Sequence, residues 1–261
     1  MNTPIVNKID RISGQEGHIY IDDGGHGGLP VVFSHSFGGD SSHWTNQLAH
    51  LRSTRRAIAF DFRGHGKSSA SAAAQYTADA LAGDIAAVVD SLDLDKFVLV
   101  GHSMGGSAAI AYADSHPDRV AGLVLAGTPG KTPDEISQPV MASLRSDAYQ
   151  KVMDDYMKKL VIGSKPEVAS KLADSVKKIP RETAVNIIQA MFKFDPLDMV
   201  KRFKGPMLII VTPNDQKQPN ALYNQLPGVP SKIIEGTSHW TQLDKPEDFN
   251  RVLDEFLMSI R

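Results

Sequence analysis

Three observations predict an α/β protein with a mostly parallel, twisted sheet and helices on both faces. Short apolar runs alternate with helical patterns along most of the chain. The cores of these runs are nearly unbroken apolar residues, as in parallel strands that are covered on both sides. The order strand, helix, strand also repeats, which is typical of an open sheet. Because such sheets gather their chemistry at the carboxyl ends of the strands, candidate functional residues are sought there.

Seven apolar runs predict the strands of this sheet. They lie at residues 18–22 (HIYID), 29–34 (LPVVFS), 55–61 (RRAIAFD), 96–101 (KFVLVG), 120–127 (VAGLVLAG), 206–211 (PMLIIV) and 231–236 (SKIIEG).

The segments between the strands carry helical stripes of apolar residues. One stripe runs from Leu81 to Leu92 at spacings of i, i+4, i+7, i+8 and i+11, and a similar stripe runs from Phe249 to Ile260. This spacing places the apolar side chains on one face of a helix, which can then pack against the sheet.

One long segment interrupts the alternation of strands and helices. Residues 131–204 contain helical patterns punctuated by proline and glycine, and no strand-like run. We expect a helical cap inserted between two strands of a core domain formed by residues 1–130 and 205–261. A pair of ordinary crossover helices is the alternative, although the segment is long for one.

Composition narrows the classes of function. The 261 residues are 41% hydrophobic and 22% charged, with a net charge of −2, which gives no reason to expect nucleic acid or an anionic membrane as a partner. The absence of cysteine excludes disulfides, thiolate metal sites and a cysteine nucleophile. The first residues lack the features of a signal peptide, and no apolar run approaches the roughly 20 residues that span a bilayer, so we expect a cytoplasmic protein.

The stretch VLVGHSMGGSAAIAYA, residues 98–113, places Ser103 between Gly101 and Gly105. A strand-forming run precedes the serine and a small-residue helix follows it. A serine at such a sharp turn has a strained backbone and an exposed hydroxyl, and glycines on both sides relieve the crowding between strand and helix. Ser103 is therefore predicted to be a nucleophile, with a merely structural turn as the alternative.

A serine nucleophile needs a base, and the base needs a group that orients it. Among nine histidines, His239 follows the last apolar run, in IIEGTSHW, and Asp215 follows the preceding run, in PMLIIVTPNDQKQP. We expect Ser103, Asp215 and His239 to form a catalytic triad. The alternative for His239 is a histidine on a surface loop, and the alternative for Asp215 is a turn residue. Asp195 and Asp244 are weaker candidates for the acid, because neither follows a core strand.

The oxyanion of acyl transfer needs two hydrogen-bond donors. The backbone amide of Met104 lies at the start of the helix after Ser103, and VVFSHSFGGD supplies a strand followed by a glycine-containing loop. The amides of Phe37 and Met104 are therefore predicted to form the oxyanion hole.

Together these motifs resemble the α/β-hydrolase fold superfamily over essentially the whole chain. GHSMGG is similar to its nucleophile elbow, VTPND to its acid-bearing loop and GTSHWTQLDKPEDF to its histidine loop, while FDFRGHGKS resembles a structural loop of the family. The resemblance implies an eight-stranded type of sheet with a helical cap. The motifs are closest in character to small esterases, lactonases and cofactor-free haloperoxidases or perhydrolases.

Four residues are assigned to the substrate pocket: Ser36, His102, Trp240 and Met141. Ser36 stands where many members of the family have glycine, so its hydroxyl either tunes substrate binding or occupies a permissive turn. Loop fixing or packing is the alternative for His102, ordinary packing is the alternative for Trp240, and filling of the cap's own small core is the alternative for Met141.

The sequence thus predicts a serine hydrolase that cleaves a small to medium carboxylic ester or lactone through an acyl-enzyme, without a cofactor. His35, His65 and His102 lie near the motifs but lack the spacing of a metal site, so no metal is expected. Perhydrolysis or C–C bond hydrolysis by the same triad stays open. A ligand receptor of the same fold, with very slow turnover, is the alternative of another class.

Overall fold

A twisted eight-stranded sheet forms the centre of the computed structural model, which describes residues 10–260. The strands are β1 (Arg11–Gly14), β2 (Gly17–Gly24), β3 (Val31–Ser34), β4 (Ala57–Phe60), β5 (Phe97–His102), β6 (Val120–Ala126), β7 (Met207–Val211) and β8 (Ser231–Ile233). Their order in the sheet is β1-β2-β4-β3-β5-β6-β7-β8. β2 pairs antiparallel with β1 and β4, whereas β3 to β8 run parallel, so the mostly parallel α/β sheet is confirmed.

Eleven α-helices connect or follow the described strands. They are α1 (Thr45–Leu51), α2 (Ala78–Ser91), α3 (Met104–Ser115), α4 (Asp134–Arg145), α5 (Tyr149–Leu160), α6 (Pro166–Lys177), α7 (Arg181–Lys193), α8 (Leu197–Arg202), α9 (Leu222–Gln225), α10 (Thr241–Asp244) and α11 (Pro246–Ser259). Ser41–Trp44 and Asp215–Lys217 form short 3-10 turns. α2 begins where the Thr77 hydroxyl accepts the N–H of Ala80 at 3.1 Å, and α6 and α11 each begin with a proline.

The parallel strands are buried on both faces, which explains their unbroken apolar sequences. On β3, Val32 faces the core that contains α2 and α3, whereas Val31 faces the core that contains α1 and α11. Leu99 and Val98 of β5 divide in the same way. Since successive side chains of a strand point to opposite faces, both sets must be apolar.

The elements differ from the sequence-based expectations mainly at the sheet edges. The strand predicted at residues 18–22 is longer in the structure, where β2 covers Gly17–Gly24. The strand predicted at residues 231–236 is shorter, since β8 covers only Ser231–Ile233. The edge strand β1 was not predicted. Residues 1–9 and 261, which the predicted core domain includes, lie outside the described residues.

Between β6 and β7 the chain is helical, because α4 to α8 all lie there. This agrees with the helical pattern read from residues 131–204, while the division of the chain into core and cap stays a prediction. None of the helices described is both long and apolar enough to cross a membrane. Loops at the carboxyl ends of β3, β5, β6, β7 and β8 meet at one edge of the sheet, and the predicted triad residues and Phe37 lie there.

Candidate active site

Ser103 occupies the sharp turn between β5 and α3. Its backbone has φ +52° and ψ −115°, a conformation that is rare and strained for a residue with a side chain. The turn is held from both directions, because the N–H of Ser103 donates to the carbonyl of Ala126 at 2.9 Å and its carbonyl accepts from Ser107 at 3.1 Å. The residue is only 5% exposed and lines a cavity at this edge of the sheet.

The glycines around Ser103 are required by close backbone approaches. A Cβ at Gly101 would lie 2.6 Å from the carbonyl oxygen of Gly105, so strand and helix meet there with no room for a side chain. A Cβ at Gly105 would lie 2.5 Å from the carbonyl oxygen of Ser34 on β3. The second glycine thus makes room for the neighbouring strand β3, which the sequence reading had not identified as the partner.

His239 lies in the loop after β8, and contacts from two directions hold its backbone. Its N–H donates to the carbonyl of Leu160, the last residue of α5, at 3.0 Å. Its carbonyl accepts from Nε2 of His102 at 2.9 Å. The imidazole lies against Gly127, where a Cβ would be 2.9 Å from Cε1 of His239. The ring is therefore confined between the end of β6 and the cavity.

Asp215 lies just after β7 and faces the His239 ring. Oδ1 of Asp215 is 3.9 Å from Nδ1 of His239, which is an ion-pair distance rather than a hydrogen bond. Thr212 holds the carboxylate, since its N–H donates to Oδ2 at 3.0 Å and its hydroxyl accepts from the Asp215 N–H at 3.0 Å. Burial by itself would raise the pKa of Asp215, but the His239 ring and the Thr212 donors outweigh burial and lower this pKa below 3.8. Such geometry often tightens only when substrate is bound.

The amides predicted for the oxyanion hole are available to a ligand. Within residues 10–260, the backbone N–H groups of Phe37 and Met104 make no hydrogen bond to the protein. Met104 is the first residue of α3, where the helix dipole adds a partial positive charge. Phe37 and Ser103 both line the cavity. The arrangement can accept an anionic oxygen beside the Ser103 hydroxyl.

The cavity has a volume of about 330 Å³ and joins the three predicted triad residues. One wall is apolar and comes from the helices between β6 and β7, with Val140 and Leu144 of α4, Met153 of α5 and Phe192 of α7 among its residues. A polar wall comes from the loops after β6 and β7. Its members are Thr128, Thr132, Asn214, Gln218 and Asn220.

Sequence reasoning had not identified this polar wall. Thr128 lies two residues after the end of β6, so the rule that chemistry gathers at carboxyl ends of strands could have indicated it. Gln218 and Asn220 carry no comparable signal, because turns commonly contain such residues.

Three of the four residues assigned to the substrate pocket do not line it and instead form hydrogen bonds in the loops that carry Phe37 and His239. Ser36, His102 and Trp240 are at most 2% exposed and do not line the cavity. A carbonyl can only accept, so His102 donates to the His239 carbonyl from Nε2, and its Nδ1 accepts from the Gln242 amide at 3.2 Å. Met141 is buried in the main hydrophobic core and does not line the cavity either.

The other histidines near the site are buried and neutral. Burial lowers the pKa of His35 and His43 to about 4 and that of His65 to about 3. Nδ1 of His35 donates to the carbonyl of Ser36 at 2.8 Å, and Nδ1 of His65 donates to the carbonyl of Arg63 at 3.1 Å. In the part of the chain that the structure describes, no group of three His, Cys, Asp or Glu side chains is arranged to hold a metal ion.

Helices between β6 and β7 contact both loops that flank Ser103. The Leu160 carbonyl of α5 binds the His239 N–H, as described above. On the other side, a Cβ at Gly38 would lie 2.5 Å from Cγ2 of Val176 on α6. The helical segment is thus in direct contact with the Phe37 loop and the His239 loop.

The comparisons with known proteins agree with this architecture. Residues 30–175, more than half of the chain, match the family model of the alpha/beta hydrolase fold. An esterase from Thermogutta terrifontis has 26% sequence identity and a TM-score of 0.80, over 96% of this chain and 98% of that one. Est816, described as an N-acyl homoserine lactone degrading enzyme, has 25% identity and a TM-score of 0.81, over 94% of this chain and 99% of that one.

A shorter and more similar match lies in a larger protein. The dihydrolipoyllysine-residue acetyltransferase component of the acetoin cleaving system of Pseudomonas putida is 43% identical over 107 residues, 41% of this chain. The match spans only 29% of that relative, so it bears on the shared segment alone. Together with the elbow geometry and the sheet order, the family match identifies the chain as a member of the α/β-hydrolase family and as an enzyme.

Proposed function

We propose that the protein is a serine hydrolase that cleaves a small to medium carboxylic ester or lactone through an acyl-enzyme on Ser103. One observation carries the proposal: Ser103, His239 and Asp215 line the same cavity, although they are far apart in the sequence. The unpaired amides of Phe37 and Met104 at this cavity provide further support.

In this mechanism, His239 removes the proton of the Ser103 hydroxyl as the oxygen attacks the carbonyl carbon. The amides of Phe37 and Met104 stabilise the oxyanion, and Asp215 stabilises the protonated imidazole. His239 then gives its proton to the leaving alcohol oxygen. It next activates a water molecule that breaks the ester bond to Ser103 and restores the free hydroxyl.

The cavity supports the proposed substrate class. Its volume of about 330 Å³ lies at the lower end of the range for ligand pockets, about 300–1,000 Å³. The apolar wall fits an acyl group, and the polar wall fits the oxygen atoms of a lactone ring or alcohol portion. We propose that residues 131–204 act as the cap that supplies the apolar wall. The esterase and the lactone-degrading enzyme reported above support both substrate types.

A fluorophosphonate probe tests the nucleophile directly. We expect one label per chain, attached to Ser103, and neither label nor ester turnover in the S103A variant. S107A is the matched control, because Ser107 is a buried serine on the same helix whose hydroxyl has no partner among the described residues. Unchanged labelling or turnover in S103A would overturn the proposal.

Substrate assays separate the proposed reaction from its alternatives. Nitrophenyl acetate and a simple lactone should be hydrolysed without peroxide, at about 1 per second or faster. Turnover that requires peroxide would indicate a perhydrolase, and turnover of a dienoic ketone alone would indicate C–C hydrolysis. Very slow turnover of every substrate, with thermal stabilisation by ligand, would indicate a receptor.

A further inference from the structure

The hydroxyl of Ser36 joins the two loops that flank the nucleophile. Nε1–H of Trp240 donates to Oγ of Ser36 at 3.1 Å, and both side chains are 2% exposed. Ser36 immediately precedes Phe37, whose amide is proposed for the oxyanion hole. Trp240 immediately follows His239, the proposed base. A single buried hydrogen bond therefore connects the oxyanion loop with the histidine loop, and a glycine at position 36 could not make it.

The carbonyl of Ser36 is fixed as firmly as its hydroxyl. It accepts hydrogen bonds from Nδ1 of His35 at 2.8 Å and from the N–H of Gly39 at 3.0 Å. His35 is itself held, since its Nε2 accepts the N–H of Phe62 at 3.0 Å. Because the peptide unit is planar and trans, the Phe37 N–H points to the opposite side from the Ser36 carbonyl. These bonds therefore determine the direction of that amide.

The partner indole is also in contact with the base. The rings of Trp240 and His239 meet edge to face, with centroids 5.1 Å apart and planes at 90°. The backbone N–H of Trp240 donates to the hydroxyl of Ser238 at 3.1 Å. A shift of the indole would thus move the ring of His239 as well as Ser36.

We propose that Ser36 is a positioning residue, whose hydroxyl acts through Trp240 to keep the Phe37 amide and the His239 ring in a fixed relative position. This inference rests on the proposed function and deepens it. Ser36 touches no substrate, and its contribution is the alignment of the oxyanion donor with the base when the tetrahedral intermediate forms.

A double-mutant cycle tests the proposal on the full chain. S36A removes the acceptor, W240F removes the donor, and the double variant removes both. For a nitrophenyl ester we expect each single variant to lower kcat about ten-fold with KM changed less than about two-fold, since one buried hydrogen bond is lost. The double variant should be no slower than the slower single variant, and S36T, which keeps a hydroxyl, should recover activity.

Two further measurements distinguish positioning from a purely structural role. Phenylboronic acid forms a tetrahedral adduct with a catalytic serine, so its affinity should fall by the same factor as kcat in S36A. In the NMR spectrum, the indole N–H signal of Trp240 should shift in S36A, while that of Trp44, the other tryptophan, should not. S107A, the buried serine control, should change none of these values.

Failure of this inference is distinguishable from failure of the proposed function. If S103A is inactive while S36A and W240F lower only the melting temperature and keep kcat, the positioning role is wrong and the proposed function stands. If the fold-reductions in kcat of S36A and W240F multiply in the double variant, the proposed coupling between Ser36 and Trp240 would also be overturned. Full activity of S103A would overturn the proposed function itself.

Discussion

Nε2 of His102 donates a hydrogen bond to the main-chain carbonyl of His239 at 2.9 Å, which links the residue before Ser103 to the loop that carries His239. The same ring accepts from Gln242 through Nδ1, so its tautomer is determined by its two partners. Burial keeps the ring neutral, because it lowers the pKa of His102 well below 6.5. His102 is thus a fixed connection between two chain segments of the site.

Two substitutions of His102 should have different effects on turnover. A glutamine can reach the position of Nε2 and donate to the His239 carbonyl, whereas an asparagine reaches only the position of Nδ1. We expect H102N to lower kcat about ten-fold more than H102Q, since the hydrogen bond that holds the backbone of His239, the proposed base, is lost. Steady-state kinetics and thermal denaturation measure this difference. Equal kcat values in the two folded variants would contradict it.

Gly127→Ala should impair catalysis more than stability. The new Cβ would lie 2.9 Å from Cε1 of His239 and would displace the imidazole. Gly27→Ala is the matched control, because it also forces a side chain into positive φ (+79° against +52°) but has its nearest neighbour at 3.5 Å. Both variants should lose about 1–2 kcal/mol of unfolding free energy. Only Gly127→Ala should lose kcat, and similar kcat in both would refute the prediction.

Asp84→Ala should strongly lower the free energy of unfolding and leave kcat per folded molecule close to that of the unaltered protein. Asp84 and Arg63 form a buried ion pair at 2.6 Å, with 1% and 3% of their side chains exposed. Burial raises the pKa of Asp84, while the neighbouring Arg63 guanidinium acts to lower it. Removal of the carboxylate leaves Arg63 buried and unpaired, and we expect a loss of about 3–5 kcal/mol in urea unfolding.

An exposed ion pair provides the control for this prediction. Lys151 and Asp155 also meet at 2.6 Å, but on the surface of α5. Asp155→Ala should lose less than about 1 kcal/mol. In both variants, kcat per folded molecule should stay close to that of the unaltered protein. A loss of kcat in Asp84→Ala at temperatures where it is folded would assign the Arg63 loop to the catalytic machinery.

Stability should fall as the pH drops below 6.5. The pKa values of His35, His43 and His65 are lowered by burial to about 4, about 4 and about 3, while unfolded histidines keep about 6.5. Between these values the unfolded chain binds protons that the folded chain does not, so the unfolding free energy decreases with falling pH. Each such histidine contributes about 1.4 kcal/mol per pH unit in this window.

His43→Phe isolates one of these contributions. Burial lowers the pKa of His43 and outweighs Asp40, which favours protonation, while Lys171 and His65 act in the same direction as burial. Both ring nitrogens of His43 are buried without a hydrogen-bond partner among the described residues, so phenylalanine leaves no new group unpaired. Urea unfolding at pH 5 and pH 6 should show a slope lower by about 1.4 kcal/mol per pH unit than in the unaltered protein. An unchanged slope would refute the prediction.

Most of the sheet could be predicted because its buried strands have a distinctive composition. Strands covered on both faces require nearly continuous apolar residues, and β3, β5, β6 and β7 all show them. The edge strand β1 has only Ile12 buried, in RISG, so its sequence does not differ from that of a loop. β8 is three residues long, because the chain turns towards His239 after Ile233.

The sequence indicated that Ser103, Asp215 and His239 lie at one edge of the sheet, where they line one cavity, but it did not indicate the contacts that support them. The rule of strand ends and the glycine spacing around Ser103 indicated which residues share the carboxyl edge of the sheet. The hydrogen bond between Ser36 and Trp240 joins residues 204 positions apart and depends on loop conformations that no local pattern encodes. For the same reason, three residues were assigned to the pocket although they do not line it.

The contacts of Leu160 with His239 and of Val176 with Gly38 mean that the helical segment is not an independent module. A chimera that replaces it with helices from another hydrolase must keep the end of α5 and the Val176 face of α6, or it will disturb the loops that carry Phe37 and His239 along with the cavity wall. Libraries aimed at new substrates should therefore vary α4 and α7, whose side chains line the cavity and which, among the described residues, form no hydrogen bond with either loop.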